Sequence, residues 1–310
     1  AGEVGPGGAE LLLARGDGEL ELRGRDLAVL GAFALGGGFV PNLAVATLDV
    51  GAPSWLFHNT SNGEIRAFSL PAAEGADDAP LLRWSFAAGL AAPLTVLEPD
   101  LTGERTLLAQ VQDRAGNLGI VALDARTGDE LWRHEPERWV AADAPVVGQV
   151  GLQPRTVIAW RGRSGVLAGS EDLRVSVLDA TTGAVLWDVP PARNVSSATP
   201  LLFLDLDDDG GDDVIHVDDT SVEFFGGLDG ARLGTRSSDW IKHPLLADLN
   251  GDGTVDFLAP QASKLCLWSG GPRGAEAWCK EPRYRDEGGN NFHAVAREEG
   301  FAGLLAVMSA

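Results

Sequence analysis

VALDARTGDELWRHE, residues 121–135, and VSVLDATTGAVLWDVP, residues 175–190, are near copies of each other. In both, an apolar, partly β-branched run ends at Asp-Ala, a Thr-Gly pair follows, and a second short run ends at a tryptophan. Such runs predict β-strands, and the Thr-Gly pair predicts a hairpin turn in which glycine takes a positive φ. The tryptophan is large enough to pack between neighbouring sheets.

The same pattern recurs along the chain with local changes. SKLCLWSGGPRGAEAWCKE (263–281) keeps the glycine and the tryptophan, IRAFSLPAAEGADDAPLLRWSF (65–86) keeps Trp84 after a longer turn, and SVEFFGGLDGARLGTR (221–236) has Gly234 at the tryptophan position. A proline opens an apolar stretch once in each unit, at intervals of 44 to 55 residues: Pro41, Pro93, Pro145, Pro200 and Pro244. About four short strands fit each unit, and strand repeats of this length are typical of propeller blades.

We therefore predict an all-β fold, a β-propeller that forms a single domain over residues 1–310. Its blades are expected to have four strands each and to number six, with seven as the alternative. The predicted blades are residues 38–89, 90–138, 139–193, 194–239 and 240–288, and a last blade is shared by residues 289–310 and 9–37. In that arrangement N- and C-terminal strands close the ring, and residues 1–8 form a flexible tail.

Two acidic loops, LDLDDDGGDDV (204–214) and ADLNGDGTVDF (247–257), share one spacing. Each has oxygen-bearing side chains at positions 1, 3, 5 and 9, and position 7 offers a backbone carbonyl. Ca²⁺ takes six to eight oxygen ligands in flexible geometry, and glycines permit the sharp bend that such a loop needs. The predicted ligands are Asp205, Asp207, Asp209, Gly211 and Asp213 in the first loop, and Asp248, Asn250, Asp252, Thr254 and Asp256 in the second.

These loops predict two Ca²⁺ sites, with a weaker third over EPDLTGERT (98–106). Asp208 and Asp212 are left over and are expected to face solvent. An acidic turn without a metal is the alternative. An EF-hand is excluded because position 12 is His216 or Ala259 rather than glutamate and the flanking segments are strands.

The units with LDA, TG and LW resemble the blades of PQQ-like propeller repeats. The Asp/Gly loops resemble the calcium loops of FG-GAP repeats, also called VCBS or integrin-α-like repeats. Chains that mix both kinds of blade resemble bacterial surface proteins and animal FAM234-type ectodomains. The resemblance covers residues 38–288 and implies a calcium-binding propeller, but such repeats serve many functions.

Other residues bear on the compartment. Cys266 and Cys279 flank a turn, and antiparallel pairing about its centre places them opposite each other, within reach of a disulfide; two free thiols are the alternative. A disulfide fits an oxidising compartment. Asn59 and Asn194 begin N-glycosylation sequons, which are weak signals in a chain with eight asparagines.

Charge and motif content narrow the function. The net charge of −21 disfavours nucleic acid and anionic membrane surfaces as partners, and no apolar run is long enough to insert into a bilayer. No nucleophile elbow, P-loop or zinc-protease motif occurs, so we expect no enzyme. The expected function is a secreted, cell-surface or periplasmic module that binds protein or glycan, as an adhesion or scaffolding unit. The alternatives are a structural subunit of an extracellular assembly, and an enzyme on this scaffold such as a polysaccharide lyase or a quinoprotein-like enzyme.

Overall fold

Every regular element in the described part of the chain is a β-strand. The computed structural model describes residues 11–14, 19–23, 29–34, 39–48, 54–70, 80–89, 93–97, 104–136, 139–142, 144–164, 172–192, 201–206, 209–218, 221–237, 245–249, 251–261, 264–269 and 274–280. The chain divides into two compact units. The first comprises residues 1–144 and 164–166, and the second comprises residues 145–163 and 167–310.

The first unit contains three antiparallel sheets whose strands pair in chain order. The first sheet has three described strands and the next two have four each. The strands of these sheets are β1 (Leu11–Ala14), β2 (Glu19–Arg23), β3 (Val29–Ala34), β4 (Phe39–Thr47), β5 (Ser54–Thr60), β6 (Glu64–Ser69), β7 (Leu81–Ala87), β8 (Leu94–Val96), β9 (Thr106–Gln112), β10 (Leu118–Asp124) and β11 (Glu130–His134). A short strand outside the three sheets, β12 (Trp139–Ala142), follows them in the chain.

The second unit contains three groups of four antiparallel strands, β13–β16, β17–β20 and β21–β24, and each group pairs in chain order. The strands are β13 (Val146–Val150), β14 (Arg155–Ser164), β15 (Asp172–Asp179), β16 (Val185–Val189), β17 (Leu202–Leu204), β18 (Asp213–Val217), β19 (Ser221–Phe225), β20 (Arg232–Ser237), β21 (Leu245–Ala247), β22 (Asp256–Gln261), β23 (Lys264–Ser269) and β24 (Ala275–Lys280).

The four-strand repeat predicted from the sequence is thus present in five of the predicted blades, as β4–β7, β8–β11, β13–β16, β17–β20 and β21–β24. Two of the opening prolines, Pro93 and Pro145, stand directly before β8 and β13, which pair on one side only. Proline lacks an N–H donor, so it suits the start of an edge strand. The blade count and the closure of the ring stay predictions, because residues 281–310 lie outside the described part.

The Thr-Gly turns have the predicted backbone, with Gly128 at φ 77° and Gly183 at φ 70°. Alternate residues of several described strands fill the spaces between sheets. In the first unit, Phe57 and Val121 belong to one buried cluster between β4–β7 and β8–β11. In the second unit, Val177 and Phe225 belong to a cluster between β13–β16 and β17–β20.

A tryptophan from one sheet packs on the turn of the next sheet in both units. Trp84 Nε1 donates to the carbonyl of Ala125 at 3.2 Å, and Trp187 Nε1 donates to the carbonyl of Gly227 at 2.8 Å. Each indole lies flat on a turn glycine. A Cβ added at Gly230 would lie 2.7 Å from Trp187 Cδ2, so this turn accepts no larger residue while the indole stays in place.

The Asp179 carboxylate organises the turn between β15 and β16. Its Oδ1 accepts hydrogen bonds from Thr181 N and from the amide and hydroxyl of Thr182 at 2.7–3.0 Å, and its Oδ2 accepts from Arg155 Nε at 2.6 Å. Burial alone would raise the pKa of the Asp179 carboxyl, but the hydrogen bonds from Thr182 and Arg155 hold this pKa below its ordinary value. The ionised form therefore stabilises the folded chain.

Asp179→Asn is expected to lower the free energy of unfolding by about 1–2 kcal/mol at neutral pH, because charge-assisted hydrogen bonds are lost. A depressed folded-state pKa gives a contribution that is present above the unfolded value of about 3.9 and is lost as pH falls through the folded value. The difference between wild type and variant should therefore shrink below about pH 4. Urea titrations at several pH values measure it. Glu135→Gln, which removes an exposed ion pair with Arg133, is the control and should change little. An equal effect from both variants would contradict the assignment.

Candidate functional site

The first acidic loop, residues 205–213, joins β17 to β18 and is held by its own carboxylates. Asp205 Oδ2 accepts from Gly210 N at 3.0 Å, Asp209 Oδ1 accepts from Gly211 N at 2.8 Å, and Asp213 Oδ2 accepts from Leu206 N at 3.2 Å. Asp205 Oδ1 is buried and has no hydrogen-bond partner among the described residues. A buried carboxylate oxygen without a donor is costly unless a cation or another donor reaches it.

The second acidic loop, residues 248–256, joins β21 to β22 and repeats the same frame. Asp248 Oδ2 accepts from Gly253 N at 3.0 Å, Asp252 Oδ1 accepts from Thr254 N at 2.8 Å, and Asp256 Oδ2 accepts from Leu249 N at 2.9 Å. In both loops these bonds link position 1 to 6, position 5 to 7 and position 9 to 2. The position-6 glycines also agree, with φ 85° at Gly210 and 86° at Gly253.

The predicted ligands at position 3, Asp207 and Asn250, lie outside the described residues, and so does most of the third candidate loop. In the described ranges, no three histidine, cysteine, aspartate or glutamate side chains are grouped closely enough to hold a metal ion. The donor set is nevertheless one that fits Ca²⁺: carboxylates, an amide and backbone carbonyls. The orphaned Asp205 Oδ1 is consistent with this fit. Coordination at both loops stays a prediction.

The first loop is hydrogen-bonded to the end of β13, next to the turn that leads to β14, which the sequence does not indicate. Asp212 N donates to the carbonyl of Gln149 at 2.8 Å, and Gln149 N donates to Asp212 Oδ2 at 3.0 Å. Asp212 is half-buried, and besides the solvent that it was expected to face, its carboxylate meets the backbone of the neighbouring sheet. Asp208 lies outside the described residues.

The same loop also contacts the turn between β19 and β20. Gly227 N donates to Asp213 Oδ1 at 3.2 Å, and a Cβ added at Gly227 would lie 2.0 Å from the carbonyl oxygen of Asp212. Since the Gly227 carbonyl accepts the indole N–H of Trp187, the loop, the turn and the tryptophan form one connected network.

Two leucines on these turns are exposed, and sequence reasoning missed them. Leu152 is 84% exposed and Leu228 is 56% exposed. A Cβ added at Gly210 would lie 3.1 Å from Leu152 Cδ2, and one added at Gly151 would lie 3.2 Å from Leu228 Cδ2. The two side chains thus rest on glycines of adjoining segments. Only their position in short turns, beside glycine, signals them in the sequence.

The predicted disulfide is present in the structure, whereas the first predicted glycosylation site is buried. Cys266 on β23 pairs directly with Cys279 on β24, and a disulfide joins them. Asn59 lies within β5 and is 1% exposed, so a glycan has no room at this side chain in the folded chain, which argues against its use as a sequon. Asn194 lies outside the described residues.

Antiparallel sheets of four strands that recur along the chain, with tryptophans packed on the turns of following sheets, define a protein of the β-propeller class. The family described as outer membrane protein assembly factor BamB, built from PQQ-like repeats, matches residues 66–224, just over half of the sequence. The chain belongs to that family. No curated protein matches the sequence.

Solved structures with the same fold are distant in sequence. BamB from Moraxella catarrhalis is 16% identical with a TM-score of 0.56, over 90% of this chain and 75% of that one. The Dos1 propeller is 11% identical with a TM-score of 0.57, over 89% of this chain and 68% of that one. The rhamnogalacturonan lyase YesW is 13% identical with a TM-score of 0.50, over 86% of this chain and 59% of that one. At these identities the likeness shows the fold alone.

The described part of the chain has no helix that is long and apolar enough to cross a membrane.

Proposed function

We propose that this chain is a calcium-binding propeller module outside the cytoplasm, which binds protein as a scaffolding or adhesion unit. The family to which it belongs is described as an outer membrane protein assembly factor, which supports a protein partner and a periplasmic or surface setting. The disulfide between Cys266 and Cys279 supports an oxidising compartment. A glycan partner, and a structural role in an extracellular assembly, are the other forms of the proposal.

One observation carries the calcium part: two loops at equivalent places in consecutive sheets share the same frame of carboxylate-to-backbone hydrogen bonds. That frame curls each loop around its carboxylates. Asp205, Asp207, Asp209 and Asp213 with the Gly211 carbonyl would hold one ion. Asp248, Asn250, Asp252 and Asp256 with the Thr254 carbonyl would hold the other. The ion neutralises carboxylates that otherwise repel one another, and so it stiffens the turn.

An enzymatic role has weaker support. A lyase shares the fold, but the carboxylates of the two acidic loops bind backbone amides, and so do the repeated turn aspartates Asp124 and Asp179. A general acid or base needs a side chain free to meet a substrate. Binding is therefore the function that the geometry supports best.

Ca²⁺ is expected to raise the melting temperature by about 5–10 °C for each site that is held at a hundredfold excess over its Kd, because an ion that binds only the folded chain stabilises it by about 2.7 kcal/mol. Thermal melts with Ca²⁺, with Mg²⁺ and with EDTA measure the shift, and elemental analysis should find two calcium ions per chain. Asp252→Ala should remove one ion and part of the shift.

The control for Asp252→Ala is Asp129→Asn, an exposed aspartate in the turn between β10 and β11. It should leave both the metal content and the calcium shift unchanged. Identical melts in Ca²⁺ and EDTA, together with no metal after dialysis against Ca²⁺, would disprove the calcium part. They would leave protein binding to be decided separately.

A further inference from the structure

Three segments of the second unit form one surface, which we call the leucine face: residues 149–154, the described residues of 205–213 (205–206 and 209–213), and residues 226–231. Leu152 and Leu228 are its exposed apolar side chains, at 84% and 56% exposure. Single exposed leucines are common on soluble proteins and need no explanation. Here two of them come from separate turns and rest against glycines of adjoining segments, Leu152 on Gly210 and Leu228 on Gly151.

The backbone under these leucines is fixed by hydrogen bonds between the segments. Residues 149 and 212 exchange two bonds at 2.8 and 3.0 Å, and Gly227 N binds Asp213 Oδ1 at 3.2 Å. The two backbones also approach each other closely, since a Cβ at Gly211 would lie 2.3 Å from Gly151 N. A surface whose backbone is already ordered loses little entropy when a partner binds, which favours recognition.

The charge of the leucine face has one sign. Its described residues include five aspartates, four in 205–213 and one in 226–231, and no lysine or arginine. The cations next to these segments along the chain are both paired: Arg155 Nε lies 2.6 Å from Asp179 Oδ2, and Arg232 Nη1 lies 2.7 Å from Glu223 Oε1. One Ca²⁺ in the loop would offset two of these five negative charges, so the surface around the leucines stays anionic.

We propose that the leucine face docks a protein segment that carries aliphatic side chains flanked by lysines or arginines. The apolar side chains would cover Leu152 and Leu228, and the cations would meet Asp212 and Asp229, which are not among the predicted calcium ligands. This pairing would give both affinity and orientation. A second copy of this chain does not fit, because a two-fold contact would bring the same anionic surface against itself in a chain of net charge −21. The inference rests on the proposed protein-binding function and names the chemistry of the partner.

The test uses three fluorescein-labelled peptides of equal length: a Lys-Lys-Leu-Leu-Lys-Lys core, the same core with serines for the leucines, and the same core with glutamates for the lysines. Fluorescence anisotropy with the full chain in Ca²⁺ gives the affinities. We expect the Lys-Leu peptide to bind, the other two to bind at least tenfold more weakly, and added salt to weaken binding.

Variants locate the binding on the chain. Leu152→Ser and Leu228→Ser should each weaken the Lys-Leu peptide about tenfold, whereas Leu131→Ser, at a leucine that is 53% exposed on β11, should leave it unchanged. Circular dichroism checks that the variants fold. Both leucine sites are exposed on turns, so the substitutions leave the core intact.

Four results would overturn the leucine face as a docking site. The first is that the Lys-Leu peptide does not bind the wild-type chain, and the second is that the serine peptide binds as tightly as the Lys-Leu peptide. The third is that the Leu152→Ser and Leu228→Ser variants bind the Lys-Leu peptide as tightly as wild type. The fourth is that the wild-type chain is a dimer in sedimentation and that these variants abolish the dimer. Equal binding to all variants would leave protein binding in place elsewhere on the chain. The calcium melts report independently on the metal.

Discussion

Trp187→Ala is expected to lower the free energy of unfolding by about 3–5 kcal/mol, the range for large-to-small changes at buried aromatics. The side chain is only 7% exposed and belongs to the buried cluster between β13–β16 and β17–β20. Its ring lies 6.2 Å from that of Phe225, and its Nε1 donates to the Gly227 carbonyl at 2.8 Å. Alanine would leave a cavity and also an acceptor without its donor.

The effect should extend to the leucine face. The turn that receives the indole also binds Asp213 through Gly227 N and carries Leu228, so loss of the tryptophan frees a turn on which that surface depends. Denaturant titrations followed by circular dichroism measure the free energy of unfolding, and fluorescence anisotropy with the Lys-Leu peptide measures the affinity of the leucine face. Trp187→Phe keeps most of the apolar area and should cost about 1–2 kcal/mol through the lost hydrogen bond.

Leu131→Ala, at an exposed position of β11, is the matched control and should stay within about 0.5 kcal/mol of wild type. If Trp187→Ala lost less than about 1 kcal/mol, the tryptophan would not connect these two sheets in the way that its contacts indicate.

The hairpins could be predicted because their signals are local. Asp179, Thr182 and Gly183 lie within five residues and make the turn through bonds to one another, so the sequence alone is enough. The tryptophan position is also readable, since Trp84, Trp132, Trp187 and Trp278 occupy equivalent places opposite the third strands of their sheets. The four-strand repeat follows from these markers.

Gly234 is the position at which the tryptophan pattern is interrupted. It lies opposite Phe224, at the register position of the tryptophans in the other sheets. The sequence identifies the exchange but does not indicate what fills the space. In the structure, the cluster between β17–β20 and β21–β24 draws its aromatic area from Phe224, Phe257 and Trp268. Trp268 lies on β23, in the sheet that follows the one with Gly234, and its ring centroid is 5.3 Å from that of Phe257.

The binding surface could not be predicted, because its contacts join residues that are far apart in the chain. Gln149 and Asp212 are 63 residues apart, and no local pattern pairs them. The nine-residue spacing in the sequence predicted which residues of the acidic loops would bind Ca²⁺. It did not indicate that Asp212, outside the ligand set, would bind the neighbouring sheet.

The two loops differ at position 7 for a reason that is visible in their surroundings. Gly211 in the first loop faces the backbone of Gly151, with 2.3 Å from an added Cβ to its N and 2.9 Å to its Cα. Thr254 holds the same position in the second loop, where its hydroxyl donates to Asp252 Oδ1 at 2.6 Å. The frame of the loop is equal in both, so the neighbouring sheet decides which residue is accepted.

Gly211→Thr, which installs the residue of the second loop, is therefore expected to lower the free energy of unfolding by about 3 kcal/mol or more, from overpacking and from the two hydrogen bonds between residues 149 and 212. The reverse exchange, Thr254→Gly, should cost about 1 kcal/mol through added backbone freedom and the lost hydroxyl bond. Urea titrations of both variants measure the difference.

The pair of exchanges separates docking from metal binding. Both residues offer a backbone carbonyl, so neither change removes a predicted calcium ligand, and Thr254→Gly should keep the calcium shift of its loop. Gly211→Thr should also lower the affinity for the Lys-Leu peptide, because Leu228 rests on Gly151 and moves with it. Equal stability losses in the two variants would mean that the first loop tolerates a side chain against Gly151. The leucine face would then lack the rigid backbone on which its recognition depends.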